Sequence, residues 1–257
     1  MNPVFIVGAP RSGTTLLYQL VCRAFDVAYI PNISNLFYFF PVEAARYGLG
    51  HCRYHVTDYK SDHGHEKGLM APSEAGKVWN RWFPDEYVES TPAKWCVKIA
   101  EMVEGFQSLF NAPLVNKNVK HSNRIPALTE IFPEAKFIHV TRDPANTAIS
   151  ILQARRERGM GWYSVKPWGY CRRVEKWNEA EQVVFQVRGI RIDIERDAEN
   201  LLTVRYEDLC TGPRAVMDHV GEYLNMISHN VPARFRESRP SRSEIKDWEI
   251  EYIRGQF

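Results

Sequence analysis

The sequence predicts a single α/β domain in which a parallel β-sheet carries helices on both faces. Three observations lead there. Short apolar runs alternate with segments of helical period along most of the 257 residues. The first run, Val4–Val7, passes through a glycine-containing loop into a segment that spaces Leu16, Leu17, Leu20 and Val21 as one helix face. A later run, 135–141, passes through Arg142-Asp143-Pro144 into another helical segment. Strands alternating with helices favour parallel pairing with both faces covered. A chain of this length can bury one sizeable core, and no internal repeat divides it, so one domain over 1–257 is expected.

The elements follow in order. Val4–Val7 is the first strand, and a helix begins after Gly13. Residues 27–30 read as a second short strand stopped by Pro31-Asn32, and 34–47 as a helix. Residues 48–95 differ: they are rich in His, Gly, Pro and aromatics and weak in periodicity. A long irregular stretch is usually functional, so an acceptor-binding insertion or lid is expected, with a decorative loop as the alternative. Regularity returns with a helix at 98–110, a strand at 113–116, a helix at 123–132 and a strand at 135–141. Pro144 suits the first turn of the next helix, capped by Asp143 and running to about 158. A helix at 166–188, a strand at 201–205 and a helix at 213–224 complete the regular part, before an amphipathic stretch at 245–257.

Composition narrows the function. A hydrophobic fraction of 44% and a charged fraction of 25% are ordinary for a globular protein. A formal charge of +2 argues against a broad nucleic-acid footprint but leaves room for a local basic pocket. The five cysteines show no C-x-x-C pair, which suits a reducing, cytoplasmic setting better than a disulfide framework or zinc site. No apolar run approaches the roughly 20 residues that span a bilayer. The N-terminal run has no basic segment before it and is interrupted by Arg11, unlike a signal peptide. The run Leu36-Phe37-Tyr38-Phe39-Phe40 is expected in the core, or as one wall of a pocket for an apolar acceptor.

Two motifs carry chemistry. Gly8-x-x-x-x-Gly13-Thr14-Thr15 lies between a strand and a helix. There, loop N–H groups and the positive helix end converge on an anion. The spacing is nearly that of a P-loop, but Thr14 stands where nucleotide hydrolases carry a lysine. The loop should hold a phosphate-like group without ordinary phosphoryl transfer from ATP; a turn with glycines for packing alone is the plainer alternative. The second motif is 137–150. Arg142 ends a parallel strand, where open α/β sheets bind ligands, and Ser150 lies about two turns into the next helix. Together they could hold one phosphate. Alone, Arg142 would read as a surface partner of Asp143 or Glu134.

The paired motifs resemble the sulfotransferase superfamily, whose donor is 3′-phosphoadenosine 5′-phosphosulfate (PAPS), with adenosine 3′,5′-bisphosphate (PAP) as product. The likeness continues in Asn116-Lys117-Asn118, in 125–137 and in 204–209, nearest the bacterial and tyrosylprotein types. It implies a P-loop-like fold and transfer of a sulfuryl group to a hydroxyl of a small molecule, glycan or lipid. By the same resemblance Arg11, Ser12, Gly13, Thr14 and Thr15 hold the phosphosulfate, and Arg142 and Ser150 the 3′-phosphate. Lys117 would stabilise charge on the bridging oxygen. Tyr206 would line the adenine or phosphate region, or simply pack, and Arg242 and Ser243 would close over the donor from a late loop. No metal is expected, since no carboxylate cluster has metal spacing.

The catalytic base is not evident. In several relatives a glutamate follows the second strand, but here that place reads Ile30-Pro31-Asn32-Ile33-Ser34-Asn35. Glu74 ranks first as a substitute, against a role in the first turn of a helix, and His65 second, with His63 beside it. The expected catalytic set is therefore Lys117, Arg11, Glu74 and His65. A P-loop kinase or NTPase, or a nucleotide binder without catalysis, are the alternatives. A homo-oligomer is compatible with the sequence.

Overall fold

The structure is a computed structural model that describes residues 1–52, 57–59, 66–83, 87–238 and 244–257. Its sheet has four parallel strands in the order β2-β1-β3-β4: β1 Val4–Val7, β2 Val115–Lys117, β3 Lys136–Thr141 and β4 Leu201–Arg205. Val4 pairs with Val115 on one side and Lys136 on the other, and Phe137 pairs with Leu201. The chain leaves β1 toward β2, then returns across β1 to β3 and β4. That reversal opens a crevice at the carboxyl ends of the strands, where ligands bind in such sheets.

Alternation along β1 divides the core between the two faces of the sheet. Phe5 and Val7 pack with α4 (Gly76–Trp79), α5 (Ala93–Phe110), α6 (Ile125–Ile131) and α8 (Glu179–Asp197). Val4 and Ile6 pack with α1 (Thr14–Ala24) and α10 (Pro213–Leu224). A third cluster joins α7 (Pro144–Glu157), α8 and α11 (Asp247–Gly255). Arg156 reinforces it with ion pairs of 2.7 Å to both Glu179 and Glu249. The amphipathic tail is thus a docked helix. Among the described residues, no helix is long and apolar enough to cross a membrane.

Several elements differ from the sequence reading. Residues 27–30 form only an isolated bridge, Ala28 to Leu114, followed by a bridge between Pro31 and Pro72. Prolines lack the N–H a ladder needs. The expected helix at 34–47 is split into α2 (Asn32–Leu36) and α3 (Pro41–His51), because Pro41 can start a helix but not continue one. The expected helix at 166–188 begins only at Glu179, where Asn178 and Glu181 form a reciprocal capping box. Helix α9 (Tyr206–Thr211), directly after β4, is additional.

The irregular stretch also carries buried aromatics. In its described part Val78 and Trp79 are wholly buried, with Trp82 and Phe83 beside them in the core under β1. These residues contribute to the core. Conversely, Leu36, Phe37, Phe39 and Phe40, expected in the core or as one wall of an acceptor pocket, are not core: they are 58, 57, 62 and 69% exposed.

Candidate functional site

The loop after β1 owes its path to close approaches. Gly8 has φ +150°, its N–H donates to Ser122 Oγ at 3.2 Å, and a Cβ there would lie 2.7 Å from the Val140 carbonyl. Gly13 has φ +98°, and a Cβ there would lie 2.3 Å from Tyr206 Cδ2. Arg11 takes φ +70°, a conformation that costs an arginine strain. Helix α1 then starts at Thr14 with no side-chain cap and no acidic residue in its first turn. Its N–H groups and positive dipole end are left open to an anion. Ser12 and Thr14 are buried, and among the described residues the Ser12 hydroxyl has no partner.

Arg11, Gly13, Thr14 and Thr15 line a cavity of about 680 Å³ that also receives Lys117, Glu74, Arg142 and Tyr206. Lys117 ends β2 and is 2% exposed, and its ammonium forms an ion pair with the Glu74 carboxylate. The backbone at Glu74 is held in place from the same strand end. Asn116 Nδ2 donates to the Ser73 carbonyl at 3.1 Å, and Asn118 Nδ2 to the Glu74 carbonyl at 3.0 Å. Asn116 Oδ1 in turn accepts from Trp79 Nε1 at 2.9 Å and meets His121 Nε2 at 3.0 Å. Burial, helped by Arg124, pushes the His121 imidazole well below its ordinary pKa and keeps it neutral. Glu74 lies before α4 rather than in its first turn, so the helix-stabilising alternative does not hold.

Arg142 follows β3 directly. Its guanidinium lies 4.7 Å from the Tyr206 ring centroid and donates to the Arg11 carbonyl at 3.0 Å and to the Ser238 carbonyl. Tyr206 Oη accepts from the Ser238 N–H at 2.9 Å. Burial raises the phenol pKa, so it stays protonated. Arg11 Nε donates to Ser150 Oγ at 3.1 Å. Arg142 and Ser150 thus sit at opposite ends of Arg11, one on its carbonyl and one on its side chain. Asp143 caps α7, its carboxylate accepting from Asn146 N at 2.7 Å. The Arg142 hydrogen bonds go to carbonyls.

The structure brings Arg11, Gly13, Thr14, Thr15, Lys117, Glu74, Arg142 and Tyr206 to one cavity. Ser12 supports its loop, and Ser150 meets Arg11. His65, Arg242 and Ser243, with His63, lie outside the described residues. Sequence reasoning missed Ser122 under the loop and Ser238 between Arg142 and Tyr206. Ser122 carries no local signal, because its partner lies 114 residues away. Among the described residues no cluster of three or more metal-ligating side chains occurs.

Residues 3–229 match the model of the Sulfotransferase family. The chain is 27% identical over 174 residues to the omega-hydroxy-beta-dihydromenaquinone-9 sulfotransferase Stf3 of Mycobacterium bovis, which is 55% of this chain and 42% of that protein. It is 28% identical over 235 residues to the protein-tyrosine sulfotransferase of Drosophila melanogaster, 88% of this chain and 38% of that protein. The chain therefore spans less than half the length of these two relatives. Two solved structures share the fold. Sulfotransferase STF9 from Mycobacterium avium matches with TM-score 0.52 and 17% identity, over 99% of this chain and 67% of that one. The sulfotransferase domain of the curacin biosynthetic pathway matches with TM-score 0.50 and 16% identity, over 99% and 96%.

Proposed function

The chain belongs to the sulfotransferase family, and from that premise we propose that it transfers a sulfuryl group from PAPS to a hydroxyl of a small-molecule, glycan or lipid acceptor, as one domain over 1–257. The observation that carries this reading is a cavity with an open helix N-terminus, four cationic side chains (Arg11, Lys117, Arg142 and Arg236) and one carboxylate, Glu74. The donor would supply an already activated sulfuryl group whose leaving group is a phosphate.

The residues suit such a donor. The uncapped α1 terminus, and the Ser12 hydroxyl that has no partner among the described residues, offer hydrogen bonds to a dianionic phosphosulfate. Arg142, with Ser150 reached through Arg11, suits the second phosphate of the same nucleotide. Tyr206 stacks under Arg142 and limits where that guanidinium can point. Lys117 would neutralise charge that builds on the oxygen as the S–O bond breaks. Glu74 would take the proton of the attacking hydroxyl. The ion pair between them holds the two side chains side by side at the strand end. Arg11 would add a further positive charge beside the transferring group.

The names of the two relatives describe a hydroxylated dihydromenaquinone and a protein tyrosine as acceptors, which supports a hydroxyl acceptor here. Calorimetry tests the donor. Adenosine 3′,5′-bisphosphate should bind without metal, and Arg142→Ala should abolish most of that binding. Preference for magnesium–ATP would overturn the proposal. Turnover of labelled PAPS over a panel of acceptors then separates an enzyme from a binder.

A further inference from the structure

The run Leu36-Phe37-Tyr38-Phe39-Phe40 projects outward from a firmly held backbone. Ile33 and Ser34 behind it are buried, and Ser34 Oγ donates to the Pro41 carbonyl at 2.6 Å. The Phe37 N–H reaches the Ile33 carbonyl at 3.0 Å, and the Phe40 N–H reaches the Phe37 carbonyl at 3.0 Å. The turn is therefore satisfied internally while four large apolar side chains face water, each more than half exposed. Tyr47, 60% exposed on α3, adds an aromatic with a polar tip. A contiguous exposed apolar patch of this kind marks a contact surface rather than ordinary scatter.

The charges beside the run indicate what it contacts. Lys77 N–H donates to Asn35 Oδ1 at 2.8 Å, which brings the exposed Lys77 next to α2. Arg81 donates to the Tyr38 carbonyl at 2.7 Å and lies 5.4 Å from the Phe39 ring centroid. Lys77 and Arg81 thus place two cations beside the run. Phenyl rings at the centre and cations at the rim match a lipid surface, with acyl chains below and phosphates above. A second copy of the patch is the alternative occupant, and it would offer the cations no complementary phosphate.

We infer that residues 36–40, with Lys77 and Arg81, form a docking surface for an anionic phospholipid bilayer. Phe39 and Phe40 enter the headgroup–acyl boundary while Lys77 and Arg81 meet lipid phosphates. The surface is joined to the segment that carries Glu74. Asn32 N–H donates to the Ala71 carbonyl at 2.9 Å, and Pro31 bridges Pro72, two residues before Glu74. Docking would hold the cavity beside the membrane, which suits an acceptor alcohol that resides in lipid. The docking itself does not depend on the transfer reaction.

Co-sedimentation tests it without any donor or acceptor. The protein is mixed with vesicles of phosphatidylglycerol and phosphatidylcholine, or of phosphatidylcholine alone. It should bind the anionic vesicles, less at high salt, and less to the neutral ones. The double variant Phe39→Ser/Phe40→Ser should lower the partition coefficient by about tenfold or more. Lys77→Ala should lower it about fivefold. Thermal unfolding of each variant checks that it is folded, and Phe40→Ser alone serves if the double variant is not. Wild-type protein that stays with the supernatant, or a folded Phe39→Ser/Phe40→Ser variant that binds equally, overturns the inference. Concentration-dependent self-association lost in that variant, without lipid binding, would assign the patch to a second copy instead.

Discussion

Lys117 and Glu74, 43 residues apart in sequence, form an ion pair in which the ammonium side chain is 2% exposed and the carboxylate side chain 24%. The asymmetry predicts unequal costs. Glu74→Gln leaves a buried ammonium without its counter-charge, at about 2 kcal/mol. Lys117→Met removes the buried charge and leaves a carboxylate that water still reaches, at about 1 kcal/mol or less. Urea unfolding of both variants measures the difference. Both should lose about a hundredfold or more in turnover. Full turnover in Glu74→Gln would remove that residue as the base.

Gly13 and Tyr206 predict a steric cycle. Gly13→Ala meets the ring at 2.3 Å and also strains a φ of +98°. It should cost about 2–4 kcal/mol and weaken bisphosphate binding. Tyr206→Ala in the same chain should recover the steric part but not the backbone part. A double variant no more stable than Gly13→Ala alone would show that the ring is not the obstacle.

Anion binding should divide unequally between Arg142 and Ser150. Arg142→Ala should weaken bisphosphate binding about a hundredfold, as expected for charge-assisted hydrogen bonds. Ser150→Ala removes one hydrogen bond to Arg11 and should cost about fivefold. Arg142→Lys should not restore affinity, because an ammonium lacks the planar fork that stacks on Tyr206. Equal calorimetric affinities for Arg142→Ala and wild type would exclude Arg142 from the nucleotide site.

Two buried histidines predict acid sensitivity. Burial lowers the His139 pKa to about 4, with Glu195 opposing the shift and Arg191 adding to it. His121 is pushed well below its ordinary value by burial and then Arg124. Both stay neutral in the fold, while the unfolded chain takes up protons near pH ~6.5. Stability is therefore complete above that pH and falls as pH drops from about 6.5 toward 4. His139→Gln should flatten the slope by about one proton, worth up to roughly 3 kcal/mol at the acid end. Denaturant midpoints across that range read the slope, and an unchanged slope would exclude His139 as its source.

Much of the fold was legible because its signals are local. The strand at Val4–Val7, its turn into α1, and the Asp143 cap with Pro144 behind it follow from adjacent residues. The failures have physical causes as well. The run at 36–40 has the composition of core, but its backbone is pinned by Ile33 and Ser34 on the other side. The helix expected at 166–188 starts only at Glu179, because the capping box at Asn178 outweighs the periodicity before it.

By itself the sequence determined the glycine loop between β1 and α1, the strand-end arginine and the alternation of strands with helices. Each of these is written in neighbouring residues or a short period. Only the tertiary structure decided that Glu74 faces Lys117, that Arg11 links Arg142 to Ser150, and that Tyr206 stands against Gly13. These contacts close loops of tens to more than a hundred residues. Their partners are selected by how the two faces of the sheet pack, and no local pattern encodes that choice.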